Sequence, residues 1–310
     1  MGDTAPRSAG HPPVVAVLDV GGTTVNAAAV DIDGKMIGSV CTEPSPQGES
    51  ADGIVAVLAR LITRCIAEAR AVDREVACAA VCMPGPFDYA EGVSHMTHKF
   101  PALLGIDLRA ALRAVVALEP VFVNDADAAG HGVWLCEAAT VERLAVVTLG
   151  TGIGTALLVG GRSFRTSPNP EGAEIWSAAY QDGIFEDYVS ARAIAEAYVR
   201  SGGDEISVRR IADQARDGDQ RALEVLGEFA EHLGSGLVEL LEGFRPDAIA
   251  FTGNISKAWD LFGETTVLHF DRTSSRSVEL WASALPYPAL IGGAHLCANA
   301  PPAADMRTVS

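Results

Sequence analysis

The feature that most limits what this chain can fold into is a duplicated pattern of strand, glycine turn and strand. The first copy runs from Val14 to Gly34, VVAVLDVGGTTVNAAAVDIDG, and the second from Leu144 to Gly161, LAVVTLGTGIGTALLVGG. Setting Gly21 on Gly150 gives an offset of 129 residues (150 − 21), which puts Val17 on Val146 and Val30 on Val159. Short apolar runs broken by glycine read as buried strands joined by tight turns. Two such copies, each followed by helical patterns, imply a mixed α/β unit built twice. Asp19 is the one carboxylate in the first apolar run, and a charge at the end of a buried strand needs a chemical reason.

The rest of the chain fits that duplication. Strands are expected at 14–20, 25–31 and 36–42, with Asp33-Gly34 as a hairpin turn. Residues 52–70 carry apolar side chains at helical spacing with arginines opposite. A strand at 76–82 ends in the irregular loop Met83-Pro84-Gly85-Pro86. A helix near 107–117 and a strand at 120–123 follow. Asn124-Asp125 is a natural helix start, and that helix is expected to reach about 138. The second hairpin spans 143–160, and residues 161–187 read as a long loop. Helices are expected near 189–200, 206–215 and 219–242, a strand at 247–251, a helix from Ser256 and a last helix at 289–299. The expected division is a disordered tail over 1–12, an N-terminal α/β domain over 13–124, and a C-terminal α/β domain over 125–288. Helix 289–299 is expected to return to the N-terminal domain.

Composition narrows the function. The chain has 310 residues, 48% hydrophobic, enough for two cores. A net charge of −17 repels phosphate backbones and argues against nucleic acid as a partner. No apolar run approaches the roughly 18 residues a membrane span needs, and the N-terminus has no apolar signal region. Six cysteines without a C-x₂-C pair fit a reduced, cytoplasmic setting, and Cys78 and Cys82 in VACAAVCM read as small core residues.

Glycine turns let backbone N–H groups approach an anion closely. Three phosphate-binding designs compete. A Walker loop needs Gly-Lys-Ser/Thr, which the chain lacks. A dinucleotide fingerprint needs a helix straight after its glycines, but Gly150-x-Gly152-x-Gly154 runs into the strand-like Thr155-Ala-Leu-Leu-Val159. The third design is a pair of hairpin turns that wrap phosphates with amides from two sides, Asp19 holding Mg²⁺ through water. Against all three stands the plain reading of two ordinary tight hairpins. Asp125 has the same duality: a proton acceptor, or simply an acidic residue at a helix start.

Asp19-Val-Gly-Gly-Thr23, Pro84-Gly85-Pro86, Asn124-Asp125-Ala126-Asp127-Ala128-Ala129, Leu149-Gly-Thr-Gly-Ile-Gly154, Phe185-Glu186-Asp-Tyr-Val-Ser190 and Phe251-Thr-Gly-Asn-Ile-Ser256 occur in that order. With these motifs the sequence resembles the ROK family of sugar kinases and repressors from about residue 14 to 299. The resemblance implies the actin-like, ribonuclease-H-like ATPase fold, with two duplicated α/β domains about a central cleft. It implies ATP-dependent, Mg²⁺-assisted phosphorylation of a sugar hydroxyl, with domain closure during the reaction and a homodimeric state. It assigns Asp125 as general base and Asn124, Glu174, Glu186 and Gly85 to the sugar. It assigns Asp19, Gly21, Gly22, Thr23, Thr24, Gly150, Thr151, Gly152, Gly154, Gly253 and Asn254 to the nucleotide.

Departures cluster around the sugar. Trp176 and Ser177 stand where the family has Gly-His, so the indole either stacks on a sugar ring or fills space. The segment from Ala178 to Phe185 has no cysteine or histidine, so the family's zinc site is not expected. Thr97-His98-Lys99-Phe100-Pro101 replaces an Asn-Leu-Pro type loop. An altered acceptor is therefore expected: glucose, an amino sugar such as kanosamine, or a C7 cyclitol with a hydroxymethyl arm. The donor is ATP, with polyphosphate or another nucleotide as the alternatives. The competing function is a non-catalytic, sugar-sensing ROK-type regulator, whose family members carry an N-terminal DNA-binding domain; only a dozen residues precede the first strand here.

Overall fold

The computed structural model describes residues 12–164 and 175–299. The chain divides into two units, Met1–Val123 with Gly293–Ser310, and Asn124–Gly292.

The first unit begins with an antiparallel meander of β1 (Val14–Val20), β2 (Thr24–Asp31) and β3 (Met36–Pro44). Helix α1 (Ala51–Arg70) follows. Then come β4 (Val76–Met83), the small hairpin of β5 (Phe87–Asp88) and β6 (Val93–Ser94), α2 (Leu108–Arg113) and β7 (Pro120–Asn124). The five-stranded sheet has the order β3-β2-β1-β4-β7, with β4 parallel to β1. Alternation decides its faces. Ala16 and Leu18 of β1 and Ala79 and Val81 of β4 join Ile54, Leu58, Leu61 and Ile62 of α1 in one core. Those apolar residues recur at helical spacing, and each fully buried Leu or Ile contributes about 1.5–3 kcal/mol. Ser50 starts α1 because its hydroxyl accepts the Gly53 N–H, a cap of the kind that stabilises by roughly 1 kcal/mol.

The second unit opens with α3 (Asp125–Glu137), then β8 (Arg143–Leu149), β9 (Ile153–Val159) and β10 (Arg162–Ser163). After the hairpin of β11 (Ala179–Tyr180) and β12 (Gly183–Ile184) come α4 (Ala191–Arg200), α5 (Val208–Arg216) and α6 (Gln220–Leu240). β13 (Ala248–Thr252), α7 (Trp259–Thr273) and β14 (Glu279–Ala282) follow, and α8 (Pro288–Asn299) begins in this unit but from Gly293 onward belongs to the first. The sheet order is β10-β9-β8-β13-β14, with β9 antiparallel and β13 parallel to β8. Numbered within each unit, both sheets run third-second-first-fourth-fifth. The duplication seen in the sequence is a duplication of topology. Helices α4 to α7 bury one face around Phe185, Phe229, Phe251 and Phe262, and α3 covers the other through Val133 and Trp134.

Several expectations change in detail. Val15 pairs with Val30, but its counterpart Leu144 pairs with Leu158, so Val30 corresponds to Leu158 and not to Val159. The cause is a tighter second turn: Gly21 N–H donates to Thr24 O, whereas Gly150 N–H already donates to Gly152 O. The helix expected near 107–117 stops at Arg113, before the β-branched pair Val115-Val116. Within the expected loop over 161–187, the described parts hold β10, the β11–β12 hairpin and two 3₁₀ turns. The helix expected from Ser256 begins as the 3₁₀ turn Ile255–Ala258 before α7. β14 has no counterpart in the sequence reading; it is a four-residue edge strand. Of the expected tail, residues 1–11 lie outside the described residues, while the Pro12 carbonyl accepts from Arg74.

Candidate active site

In the first unit, Asp19 lies opposite Asn26 in the β1–β2 ladder, and Asn26 lies opposite Thr42 in the β2–β3 ladder. The side chains follow that register. The Thr42 hydroxyl donates to Asn26 Oδ1 at 2.8 Å, and Asn26 Nδ2 donates to Asp19 Oδ2 at 3.3 Å. A chain of polar groups thus aims one carboxylate at the end of the strand that enters the Gly21-Gly22-Thr23-Thr24 turn. The turn itself is braced from outside. Gln47 Nε2 donates to the Gly22 carbonyl, and Ser45 N–H donates to the Thr23 carbonyl at 2.9 Å. In a trans peptide the carbonyl and the next N–H point in opposite directions. Fixing those carbonyls therefore fixes which way the turn's amides face. Gly85 follows β4 at the edge of the same unit, partly exposed and joined to Pro86 by a cis peptide bond.

In the second unit four segments converge. The first is the start of α3: Asn124 Oδ1 accepts the Asp127 N–H at 3.0 Å, and Asp125 Oδ1 accepts the Ala126 N–H at 2.8 Å. Asp125 is half-buried at the first helical position, while Asp127 is 2% exposed. The second is the Gly150–Gly154 turn. A Cβ on Gly154 would stand 2.5 Å from Thr148 Oγ1 and 3.0 Å from the Ala126 Cβ, so this turn packs directly on the first turn of α3. The third is the Gly253-Asn254 bend. Gly253 has φ +97°, and a Cβ there would lie 2.4 Å from the Leu149 carbonyl. Asn254 Oδ1 accepts from Lys257 Nζ at 2.9 Å.

The fourth segment carries Glu186. Its Oε2 accepts the Ile153 N–H at 3.0 Å, and Ala191 N–H donates to the Gly150 carbonyl at 3.0 Å. Phe185, fully buried, anchors the 3₁₀ turn beneath Glu186. Asp187 clips the turn at both ends: it accepts the Ile184 N–H at 3.1 Å and Arg192 Nη2 at 2.6 Å. Those hydrogen bonds, the backbone one first, hold its carboxyl below the usual carboxylate range. Glu186 is thus seated against the glycine turn, at the junction of the expected sugar and phosphate groups. Glu174 lies outside the described residues.

Around Tyr180 aromatic rings meet. Tyr180 makes edge contacts with Phe185 and Tyr188 at 5.3 Å, and its hydroxyl lies 3.2 Å from His232 Nδ1. Burial pushes the His232 imidazole below its ordinary pKa. Trp176 packs against the core of this unit.

The sequence reading missed Asn26, Gln47, Asp187 and Lys257. Asn26 and Thr42 were findable, because counting alternate positions back from the turns places them beside Asp19. Gln47 and Asp187 lie in irregular segments, where no period marks direction.

Residues 15–283 match the ROK family. The chain belongs to the ROK family. A glucokinase from Thermotoga maritima is 26% identical over 273 residues, 79% of this ROK protein and 84% of that one. A xylose repressor from Caldicellulosiruptor bescii is 24% identical over 248 residues, covering 70% of this chain and 60% of the repressor. Among solved structures, a ROK glucokinase from Streptomyces griseus in complex with glucose and AMPPNP superposes with a TM-score of 0.78, at 22% identity, over 91% of this chain and 98% of that one. The fold of this ROK protein is therefore the actin-like ATPase fold. Among its described residues no helix is long and apolar enough to cross a membrane.

Proposed function

We propose that this chain is a carbohydrate kinase that transfers the terminal phosphoryl group of ATP to the primary hydroxyl of a hexose or sugar-like polyol. The observation that carries this reading is the packing of the Asp125 helix start on the Gly150–Gly154 turn, with Glu186 on the same turn. A carboxylate, a set of turn amides and a second carboxylate share one locality of the second unit. That juxtaposition suits phosphoryl transfer, which needs positioning and charge stabilisation more than covalent chemistry.

Each group has a role. Asp125 Oδ2 accepts the acceptor's hydroxyl proton as the oxygen attacks phosphorus and the bond to ADP breaks. Asn124 and Glu186 orient the acceptor through its hydroxyls, with Glu174 and Gly85 as further contacts. Amides of the turns at Gly21, Gly22, Thr23 and Thr24 and at Gly150, Thr151, Gly152 and Gly154 hold the phosphates, and Gly253 and Asn254 border the nucleoside. The Asp19 carboxylate, oriented by Asn26, is a hard oxygen donor of the kind that binds Mg²⁺ with its retained waters. Asp19 would hold that ion, whose charge would offset that of the phosphates.

Trp176 and Ser177 reshape the acceptor side, and glucose, an amino sugar such as kanosamine and a C7 cyclitol are the candidate acceptors. The regulator reading shares the sugar contacts and omits transfer. The test is ADP release and mass spectrometry of a panel of sugars and cyclitols, wild type beside Asp125→Ala. A phosphate adduct is expected, with turnover falling about 10²–10⁴-fold in the variant. Unchanged turnover in Asp125→Ala removes Asp125 as base. Saturable sugar binding without any adduct, with ATP or with polyphosphate, favours the regulator.

A further inference from the structure

β4 presents two faces. Ala79, Val81 and Met83 point into the α1 core, so Cys78, Ala80 and Cys82 lie on the other side. That side meets the C-terminal half of α8. A Cβ on Gly293 would stand 2.8 Å from Cys82 Sγ and 3.9 Å from the Ala80 Cβ. Cys297 is four residues further, on the same helix face one turn along, a rise of about 6 Å. Two residues along β4 is a step of about 6.6 Å. The cysteine of that face which meets Cys297 is Cys78, two residues from Ala80. Their thiols hydrogen-bond.

The two sulfurs are not equivalent. Cys297 is 6% exposed, whereas Cys78 sits partly exposed near the open end of the strand beside the exposed Ala77. The hydrogen bond from Cys297 holds the Cys78 thiol below its ordinary pKa, while donating that bond, together with burial, pushes Cys297 up. The thiolate therefore forms at the accessible member. The contrast is Cys65, which burial pushes up to about 12 and which behaves as an inert core residue.

We propose that Cys78 and Cys297 form a reversible redox pair that closes to a disulfide when the protein meets hydrogen peroxide. In the first step the Cys78 thiolate attacks the peroxide, the O–O bond breaks, and Cys78 becomes a sulfenic acid as hydroxide leaves and takes a proton to give water. In the second, Cys297 sulfur attacks the sulfenic sulfur, its proton leaves with the sulfenic oxygen as a second water, and the S–S bond forms. Two electrons pass from the two thiols to one peroxide. A dithiol reductant reverses the reaction by exchange. The link fastens the last turn of α8 to the start of β4. Both cysteines belong to the first unit, and Cys297 lies beyond the segment that matches the family.

The test uses the full chain carrying Cys136→Ser, which removes an exposed thiol of the second unit. The reduced protein is treated with equimolar hydrogen peroxide and mapped by mass spectrometry without reduction. A peptide joining Cys78 to Cys297, two hydrogens lighter than its parts and released by dithiothreitol, is the expected product. Amides at the C-terminal end of α8 should then exchange with deuterium more slowly in the oxidised protein. With Cys297→Ser added, Cys78 should be trapped by dimedone as the sulfenic acid, and with Cys78→Ser, Cys297 should stay reduced. Recovery of Cys78 and Cys297 as thiols from the oxidised protein, or linkage only between separate molecules, overturns the proposal. The mapping needs only the Cys136→Ser surface variant, so it decides the matter even where the buried serine variants fail to fold.

Discussion

Gly152 shows how much one hydrogen atom decides. A Cβ in its place would lie 2.2 Å from Glu186 Oε2, the atom that accepts the Ile153 N–H. The obstructing group is the end of a flexible side chain, so Gly152→Ala should displace the carboxylate and leave the fold standing. The expected stability loss is about 1–1.5 kcal/mol, one hydrogen bond net, read by urea unfolding. The proposed acceptor's kcat/KM should fall at least tenfold; a large stability loss with unchanged kinetics would mean that Glu186 is only structural. His232 supplies a second residue-scale prediction. Burial keeps its folded pKa below that of the unfolded chain, which is about 6.5. As pH falls, the unfolded chain takes up the proton first, so this contribution is complete above that value and is lost progressively below it. Between pH 7 and pH 5 the urea midpoint of wild type should drop more than that of His232→Gln; equal slopes would exclude His232 as the cause. At this scale the sequence was half legible. Asn26 and Thr42 follow from strand register, whereas the Glu186–Ile153 contact depends on where a 3₁₀ turn lands, 33 residues away in the chain.

Among elements, α8 is closely packed through two glycines. Gly292 lies so close to α3 that a Cβ would be 1.8 Å from the Ala128 carbonyl, and Gly293 would press one within 2.7 Å of Val17 Cγ1. Here the obstruction at Gly292 is backbone, which cannot step aside. Gly292→Ala should cost about 3 kcal/mol or more, at or beyond the usual range for overpacking. Gly227 in α6 is the control, since a Cβ there would meet nothing within 4 Å. Gly227→Ala should stabilise by about 0.5–1 kcal/mol through helix propensity. Thermal unfolding of both variants checks the pair, and similar effects in the two would remove close approach as the reason for Gly292. The long helices and the two hairpins were readable because their periodicity extends over many residues. β14 was not, because a short edge strand pairs on one side only and needs no full apolar run.

For the whole molecule, the topology was legible because it occurs twice, and the repeat survives a turn that is one residue shorter in its second copy. The proposed reaction assigns the metal to Asp19 of one unit and the acceptor's proton to Asp125 of the other. Adding acceptor and a non-hydrolysable ATP analogue should therefore lower the radius of gyration in small-angle scattering; an unchanged radius would count against a closing reaction cycle.

The first unit is assembled from two stretches of sequence, since it takes back the chain from Gly293 onward after the second unit has been completed. A nascent polypeptide leaving the ribosome can finish the second unit's sheet while the β1–β4 surface still lacks its C-terminal helix. That alanine- and valine-lined surface is left uncovered from the translation of Asn124 until that of Asn299, which is the kind of transient apolar exposure that invites aggregation.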